Sequence, residues 1–347
     1  MKLRLNIIQL SLLSFLFLLN VNLSSQENQK VFEEIIVTAE KRDESLQTIS
    51  QAVTAITESE IDDKNITSFV DLTSIVPGVT VAKNEGYKTV ISIRGVGNET
   101  NQNAIAAPSV AYHMDGVFIA SPFSLQTDFV DIERIEVLRG PQGTLFGQNS
   151  TGGAINVISK KPSTSAFSSN ASMTIGDFNL RKVSSSTNFP ISDSVATKFT
   201  FTSTERDGFS KNVVTGQDLD DASNISLRSD WIFELNDSSS LRIFGQYFDS
   251  DRNGAAMRGI DDANDSMRKL SQDSLSKQEL TSKVIALIYE SDLGYASLKI
   301  LGSIQEDDVL VVRDNDRHNY GDPVLAIPGL GADSTYQMAE FNPETSL

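Results

Sequence analysis

The sequence predicts a compact α+β domain followed by antiparallel strands of the transmembrane β-barrel type. Three observations carry that reading. Residues 51–161 mix short β-branched runs with short helical patterns, the texture of an α+β unit of ordinary domain size. After Pro162 helical periodicity stops, and apolar and polar residues alternate over stretches of about ten residues, as in strands with one lipid-facing side. Connectors in this second part alternate short and long, as in barrels with tight turns on one side of a membrane and long loops on the other. A soluble sandwich also alternates, but with shorter strands and no reason for the connector rhythm.

Composition narrows the function classes. The chain has 347 residues, no cysteine and a formal net charge of −17. That length suits one large or two ordinary domains, and the lack of cysteine removes disulfide and thiolate chemistry. The acidic balance argues against a nucleic-acid partner, whose phosphates need Lys and Arg. A hydrophobic content of 39% is low for a helical membrane protein and compatible with barrel strands, which are apolar only on alternate residues.

In chain order, Lys2 and Arg4 precede an apolar run over residues 5–19 and the small residues Ser24 and Ser25, so residues 1–25 are expected to be a cleaved signal peptide. No later stretch is apolar enough to span as a helix, so membrane insertion is expected by strands. Residues 26–30 are polar, residues 41–50 read as a polar linker, and between them stands the run Glu33, Glu34, Ile35, Ile36, Val37, Thr38 and Ala39. This β-branched run between charged flanks reads as an unpaired strand suited to a sheet edge. Residues 52–56 read as a strand. Thr57-Glu58-Ser59-Glu60 has capping-box spacing and opens a helix through Lys64. Ser68 opens another, with Phe69, Leu72, Ile75 and Val76 on one side, and Pro77-Gly78 stops it. Strands are predicted at 80–82 and 89–94, and Asp115-Gly116 marks a hairpin between 109–114 and 117–119.

The most informative stretch is residues 132–162, IERIEVLRGPQGTLFGQNSTGGAINVISKKP. A strand ends at Gly140-Pro141, glycines at 140, 143, 147, 152 and 153 allow tight turning and close approach to another wall, and a second strand covers 154–159. A phosphate loop is excluded, because no Gly-Lys-Ser/Thr follows and no helical pattern opens after the glycines. Past Pro162, Val195, Thr197, Phe199 and Phe201 share one strand face. Ile225, Leu227, Ser229, Trp231 and Phe233 share another, and Leu241, Ile243, Gly245 and Tyr247 a third. Short connectors are read at 190–194, 235–240 and 291–294, and long acidic ones at 205–223, 249–279 and beyond 305. The brief link between Gly176 and Leu180 breaks the rhythm.

Residues 132–162 resemble the end of the plug domain of TonB-dependent outer-membrane receptors, whose signature reads I-E-V-L-R-G-P-x-G-x-L-x-G-x-x-x-x-G-G-x-I-N-x-I-[ST]-K-x-P. Nearly every position matches over about thirty residues, far beyond a lone glycine motif. Ser92-Ile93-Arg94-Gly95 and Asp115-Gly116-Val117 fit the same domain. Tyr112 stands one residue further from Asp115 than the family's usual tyrosine, so no role is carried over to it.

The resemblance implies an N-terminal segment at 26–50 with a TonB box at 33–39, a plug domain at 51–162, and a partial barrel of about seven strands at 163–347. It implies that Glu33 to Ala39 pairs with the periplasmic TonB protein, driven by ExbB–ExbD, although an ordinary edge strand is the alternative. A plugged transporter barrel needs about 22 strands, so a fragment or a truncated gene is expected. Arg94 and Arg139 resemble family arginines that pair with glutamates of the barrel wall; those glutamates would lie beyond Leu347, and solvated arginines are the alternative. Ligand contacts are expected at the plug apices, on Asn98, Gln102 and Asn103 in the 97–107 loop and on Ser121 and Phe123. The asparagine and glutamine amides both donate and accept, which suits polyol or hydroxamate-like ligands; a plain polar loop is the alternative. The implied location is the outer membrane of a Gram-negative cell, in contact with its lipid, and the implied ligand a scarce extracellular one. Ferric siderophores come first, with cobalamin, haem and glycans open, as is a surface receptor that moves nothing.

No catalytic chemistry is expected. His113 and His318 are the two histidines, and no G-x-S-x-G elbow accompanies them. No cofactor or resident metal is expected either: Asp249-Ser250-Asp251-Arg252-Asn253-Gly254 starts like a calcium loop, but position twelve is Ile260, leaving a solvated loop with at most weak cation binding. The acidic run 306–308 is expected to be a solvated face.

Overall fold

The computed structural model describes residues 36–37, 44–45, 51–84, 88–97, 108–119, 124–126, 128–260, 262–314, 317, 335–338 and 345–346. The segment expected to be a signal peptide, most of the expected TonB box, Asn98, Gln102, Asn103, Ser121, Phe123 and His318 lie outside these residues.

The first described piece is a two-stranded ladder of β1 (Ile36–Val37) and β2 (Glu44–Ser45). So the two described residues of the 33–39 run are paired, not free. Val37 is fully buried and shares a cluster with Ala55, Ala111, Leu138, Phe146 and Ala154 of the α+β domain.

That domain starts with β3 (Val53–Thr57) and the helix Glu58–Asp63. Thr57 caps the helix, and the Glu60 carboxylate accepts from the Thr57 backbone N–H. After Ser68 the chain makes a 3-10 turn, Phe69–Asp71, and then one helical turn, Leu72–Ile75. The Asp71 carboxylate accepts from the backbone of Thr67 and Ser68, which tightens the first turn. Gly78, at φ +79°, leads into the hairpin of β4 (Val79–Asn84) and β5 (Lys88–Ile93). The remaining strands are β6 (Val110–Met114), β7 (Val117–Phe118), β8 (Ile132–Arg139) and β9 (Gly153–Ser159).

The domain's main sheet runs β3-β8-β9-β6-β7, with β6 and β9 parallel and the other pairs antiparallel. Inside the glycine-rich stretch one helical turn forms, Gly143–Phe146, which the sequence did not signal because four residues carry no periodicity. Close approach is real at Gly153: a Cβ there would lie 2.2 Å from the Leu138 carbonyl oxygen and 2.8 Å from Ile93 Cδ1.

The second part is one antiparallel sheet. Its long strands are β10 (Ser168–Gly176), β11 (Leu180–Ser192) and β12 (Val195–Arg206). After two short strands, β13 (Ser210–Asn212) and β14 (Asp218–Leu219), come β15 (Ala222–Asn236) and β16 (Ser239–Arg252). Past β17 (Lys269–Leu270) the sheet continues with β18 (Lys277–Asp292) and β19 (Ser297–Asp314), edged by β20 (Thr335–Met338) and β21 (Thr345–Ser346). The order is β10-β11-β12-β15-β16-β18-β19-β20, with β21 also on β19. Outward faces carry exposed Met173, Phe199, Leu227, Ile285 and Ile300. Near the short turns, Phe167, Phe189, Phe199, Trp231 and Phe233 form a chain of ring contacts, an interfacial aromatic belt. Inward faces pack on the first domain, and Phe244, Val284, Ala286 and Ile288 belong to the same core as Phe69, Ile93 and Ile135.

The Gly176–Leu180 link, brief in the sequence, is a tight turn with Phe178 and Asn179 at positive φ. Other loop expectations change. The long acidic connectors fold, β14-β13-β17 forming their own small sheet. Asp249 to Arg252 is part of β16, so it cannot wrap a cation; Asp249 instead accepts from Thr281 and Tyr247, and no residue group among the described residues could hold a metal. Asp307, expected in a solvated run, is buried in β19.

Candidate functional site

The α+β domain and the sheet meet in a polar seam built mainly by unlike charges. At its centre is Asp115, which takes a left-handed backbone (φ +53°) in the turn between β6 and β7, followed by Gly116 at φ +86°. That turn presses the carboxylate against the sheet's inward face. Arg228 of β15 donates to Asp115 Oδ2 at 2.6 Å, and Arg242 of β16 lies 3.3 Å from Oδ1. The backbone N–H of Ser159 donates to Oδ1 at 2.9 Å, and its hydroxyl donates to Oδ2 at 2.9 Å. Asp230 completes the group on the wall side, accepting from Arg242 Nε at 2.9 Å and from Arg228 at 3.1 Å. Arg228 also lies over the Phe244 ring, 4.0 Å from its centroid. Burial alone would push the Asp115 carboxyl up, but the Arg242 and Arg228 guanidiniums and the Ser159 N–H more than offset it and hold it at about 2.

The same pattern recurs along the seam. Asp131 accepts from Ser186 and pairs with Lys198 of β12 at 2.7 Å, while the Lys198 ammonium also donates to the Lys160 carbonyl. Asp128 pairs with Lys182 of β11 at 3.2 Å. Lys161 pairs with Glu290 at 3.1 Å, Ser124 donates to Asp307 at 2.8 Å, and Arg252 donates to Gln126. A cavity of about 540 Å³, its open mouth included, lies in this seam among Asp128, Asp131, Ser159, Lys198, Arg228 and Asp230.

The two arginines singled out from sequence do not join this seam. Arg94 is exposed, at φ +53°, and its backbone N–H donates to the Gly78 carbonyl. Arg139 donates to Thr54 Oγ1 at 3.0 Å, inside its own domain. Neither meets a barrel carboxylate among the described residues. In the same signature Glu136 is fully buried and accepts from Arg134 Nε at 2.9 Å, which gives the buried acid a partner. His113 is buried in β6 against the rings of Phe118 and Phe146. Sequence reasoning read Asp115 only as a turn residue and missed Asp128, Asp131, Lys182, Lys198, Arg228 and Arg242. Their inward parity on alternating strands was a usable signal; their pairing needed the register.

Comparison with known proteins defines the class. Residues 45–154 match the TonB-dependent Receptor Plug Domain. The chain is 32% identical to the pesticin receptor of Yersinia pestis over 144 residues, 40% of this chain and 20% of that protein. It is 32% identical to an iron-regulated outer membrane virulence protein of Vibrio cholerae over 144 residues, 40% and 21% respectively. Against the vitamin B12 transporter BtuB of Vibrio vulnificus, identity is 24% over 220 residues, 63% of this chain and 35% of the other. In fold it is similar to the ferric yersiniabactin uptake receptor FyuA of Yersinia pestis, with a TM-score of 0.67 at 20% identity, covering 76% of this chain and 42% of that one. The chain thus spans about a fifth to a third of the length of these curated relatives. Residues 45–154 are thus a plug domain of the TonB-dependent receptor type, and the long antiparallel strands that follow have the fold of part of the barrel of such receptors.

Proposed function

We propose that the protein acts in the outer membrane as a TonB-dependent importer of a scarce extracellular ligand, a ferric siderophore first among the candidates. The observation that carries this reading is the plug seated against the barrel wall through ion pairs and not through apolar packing alone. A polar seam can be parted and re-formed in water, whereas a dry core would hold the domain fixed. Lys182, Arg206 and Arg252 face inward on the rows farthest from the short turns, and exposed Lys83 of the plug lies within electrostatic reach of the two arginines. This basic rim suits an anionic iron complex. Asn98, Gln102, Asn103, Ser121 and Phe123 remain the proposed ligand contacts of the plug apices, and Arg94 and Arg139 the proposed partners of further barrel carboxylates.

The segment from Glu33 to Ala39 would reach TonB by adding a strand to it. For that, Ile36 and Val37 must leave β2, and Val37 must leave its buried site, at a cost of about 1.5–3 kcal/mol for one such side chain. The test is uptake by cells carrying the full-length gene with and without Ile36→Pro, which removes a strand donor. Radioactive iron is supplied on hydroxamate, catecholate and mixed-ligand siderophores, with labelled cobalamin in parallel. Loss of uptake in the variant is expected. Uptake that survives it would count against energy transfer through this segment, and a signal only with cobalamin would replace the iron complex as ligand.

A further inference from the structure

We propose that the inner wall formed by β11, β12, β15 and β16 is a cationic track for an anionic ligand, and that plug carboxylates occupy its anion sites at rest. This rests on the transport reading and adds to it the strands along which the cargo passes and the plug groups that hold its places at rest.

The register fixes the heights. Arg252 lies two residues beyond the row that joins Lys182, Thr204, Asn224 and Ser250. Arg228 shares a row with Thr200 and Gln246, Lys198 with Asp230 and Phe244, and Arg242 with Ile232 and Ile288. The inward cations therefore step down the wall from Arg252 to Arg242, ten residues of strand, or about 34 Å. The chain as a whole carries a net charge of −17, so this concentration of cations on one face runs against its composition.

Three plug carboxylates close four of the rows: Asp128 on Lys182, Asp131 on Lys198, and Asp115 on both Arg228 and Arg242. On the wall itself Asp230 balances one of the two arginines. When the plug shifts, Arg228, Arg242 and Asp230 together keep one uncompensated positive charge, as does Lys198. A lumen wall that carries unneutralised cations attracts anions through its summed field, so each vacated place favours an incoming anion. The cavity beside Lys198, Arg228 and Asp230 already gives water access to two of these places. Hydroxyls of Thr200, Thr202 and Ser226 line the same cavity and can donate to a passing oxyanion.

The first test asks whether a free anion can replace the plug carboxylate, and it needs no transport. Full-length receptor carrying Asp115→Ala or Asp131→Ala is heated in rising inorganic phosphate or formate, beside the wild type at equal ionic strength. The expected result is that each variant's unfolding midpoint climbs several degrees more than that of the wild type. Combining Asp131→Ala with Lys198→Gln should abolish the gain. Midpoints that rise in parallel for variant and wild type would overturn the proposal. Should Asp115→Ala fail to fold, Asp131→Ala, at a less enclosed pair, carries the test.

The second test holds full-length receptor in planar bilayers with the plug loosened by urea, under a potassium chloride gradient. Chloride preference is expected, reversing when Lys182→Glu and Lys198→Glu are combined. Conductance that favours potassium, or that ignores both substitutions, would overturn the track. Absence of iron or cobalamin uptake in cells, with both tests positive, would instead fault the transport reading.

Discussion

Asp115 shows how much a single carboxylate can be asked to hold. It satisfies two guanidiniums, a backbone amide and a hydroxyl at once. Asp115→Ala leaves Arg228 and Arg242 short of one buried negative charge, and removing one partner of such a group costs about 3–5 kcal/mol. A lowered plug-unfolding midpoint in a thermal scan is the expected outcome. The pH dependence has a definite sign. The folded carboxyl titrates at about 2, below the ordinary aspartate value of about 3.9. Its contribution is therefore complete above about pH 4 and is lost as pH falls from there toward 2. Stability measured between pH 2 and 5 should fall less steeply in Asp115→Asn than in the wild type; equal slopes would show that other groups dominate.

At the level of elements, glycine spacing and strand pairing do most of the work. Gly153 stands at φ +151° where β9 leaves the turn, with the Leu138 carbonyl and Ile93 against its missing side chain. Gly153→Ala combines backbone strain with overpacking, so a loss of about 2–5 kcal/mol is expected. Protease sensitivity of the 132–162 region in folded receptor would check it, and Gly140→Ala, at φ +100° with open space around it, should cost less. The strand pattern of this region was legible in the sequence because Ile135 and Val137 alternate along β8 and β9 is a β-branched-rich run of seven residues that starts at a glycine. The helical turn at 143–146 and the short strands β13, β14 and β17 were not, because two to four residues show no period and are held by tertiary hydrogen bonds. The same limit hid the pairing of Ile36–Val37 with Glu44–Ser45.

For the molecule as a whole, the two faces of the large sheet face different solvents. Ile285 on β18 projects outward within the apolar band, while its neighbours Val284 and Ala286 pack on the plug. Ile285→Arg should cost about 2–4 kcal/mol in a bilayer, and an arginine at Leu293, beside the short turn, about 0–1. Folding yields of the two variants in lipid vesicles test this contrast; equal yields would place the band elsewhere.

The sequence by itself determined the class of this protein. The 132–162 signature and the ten-residue alternation are local properties, and local spacing of glycines, apolar residues and turns fixes a plug followed by barrel strands. It also determined which strand faces are greasy, since alternation sets parity. Only the tertiary structure decided which charges meet. Asp115 and Arg228 are 113 residues apart, and Asp131 and Lys198 come together only once β11, β12 and the plug are in register. Coulomb attraction acts through space and leaves no period in the chain, so the arginines that looked important from their motif, Arg94 and Arg139, are not the ones that hold the plug to this part of the wall.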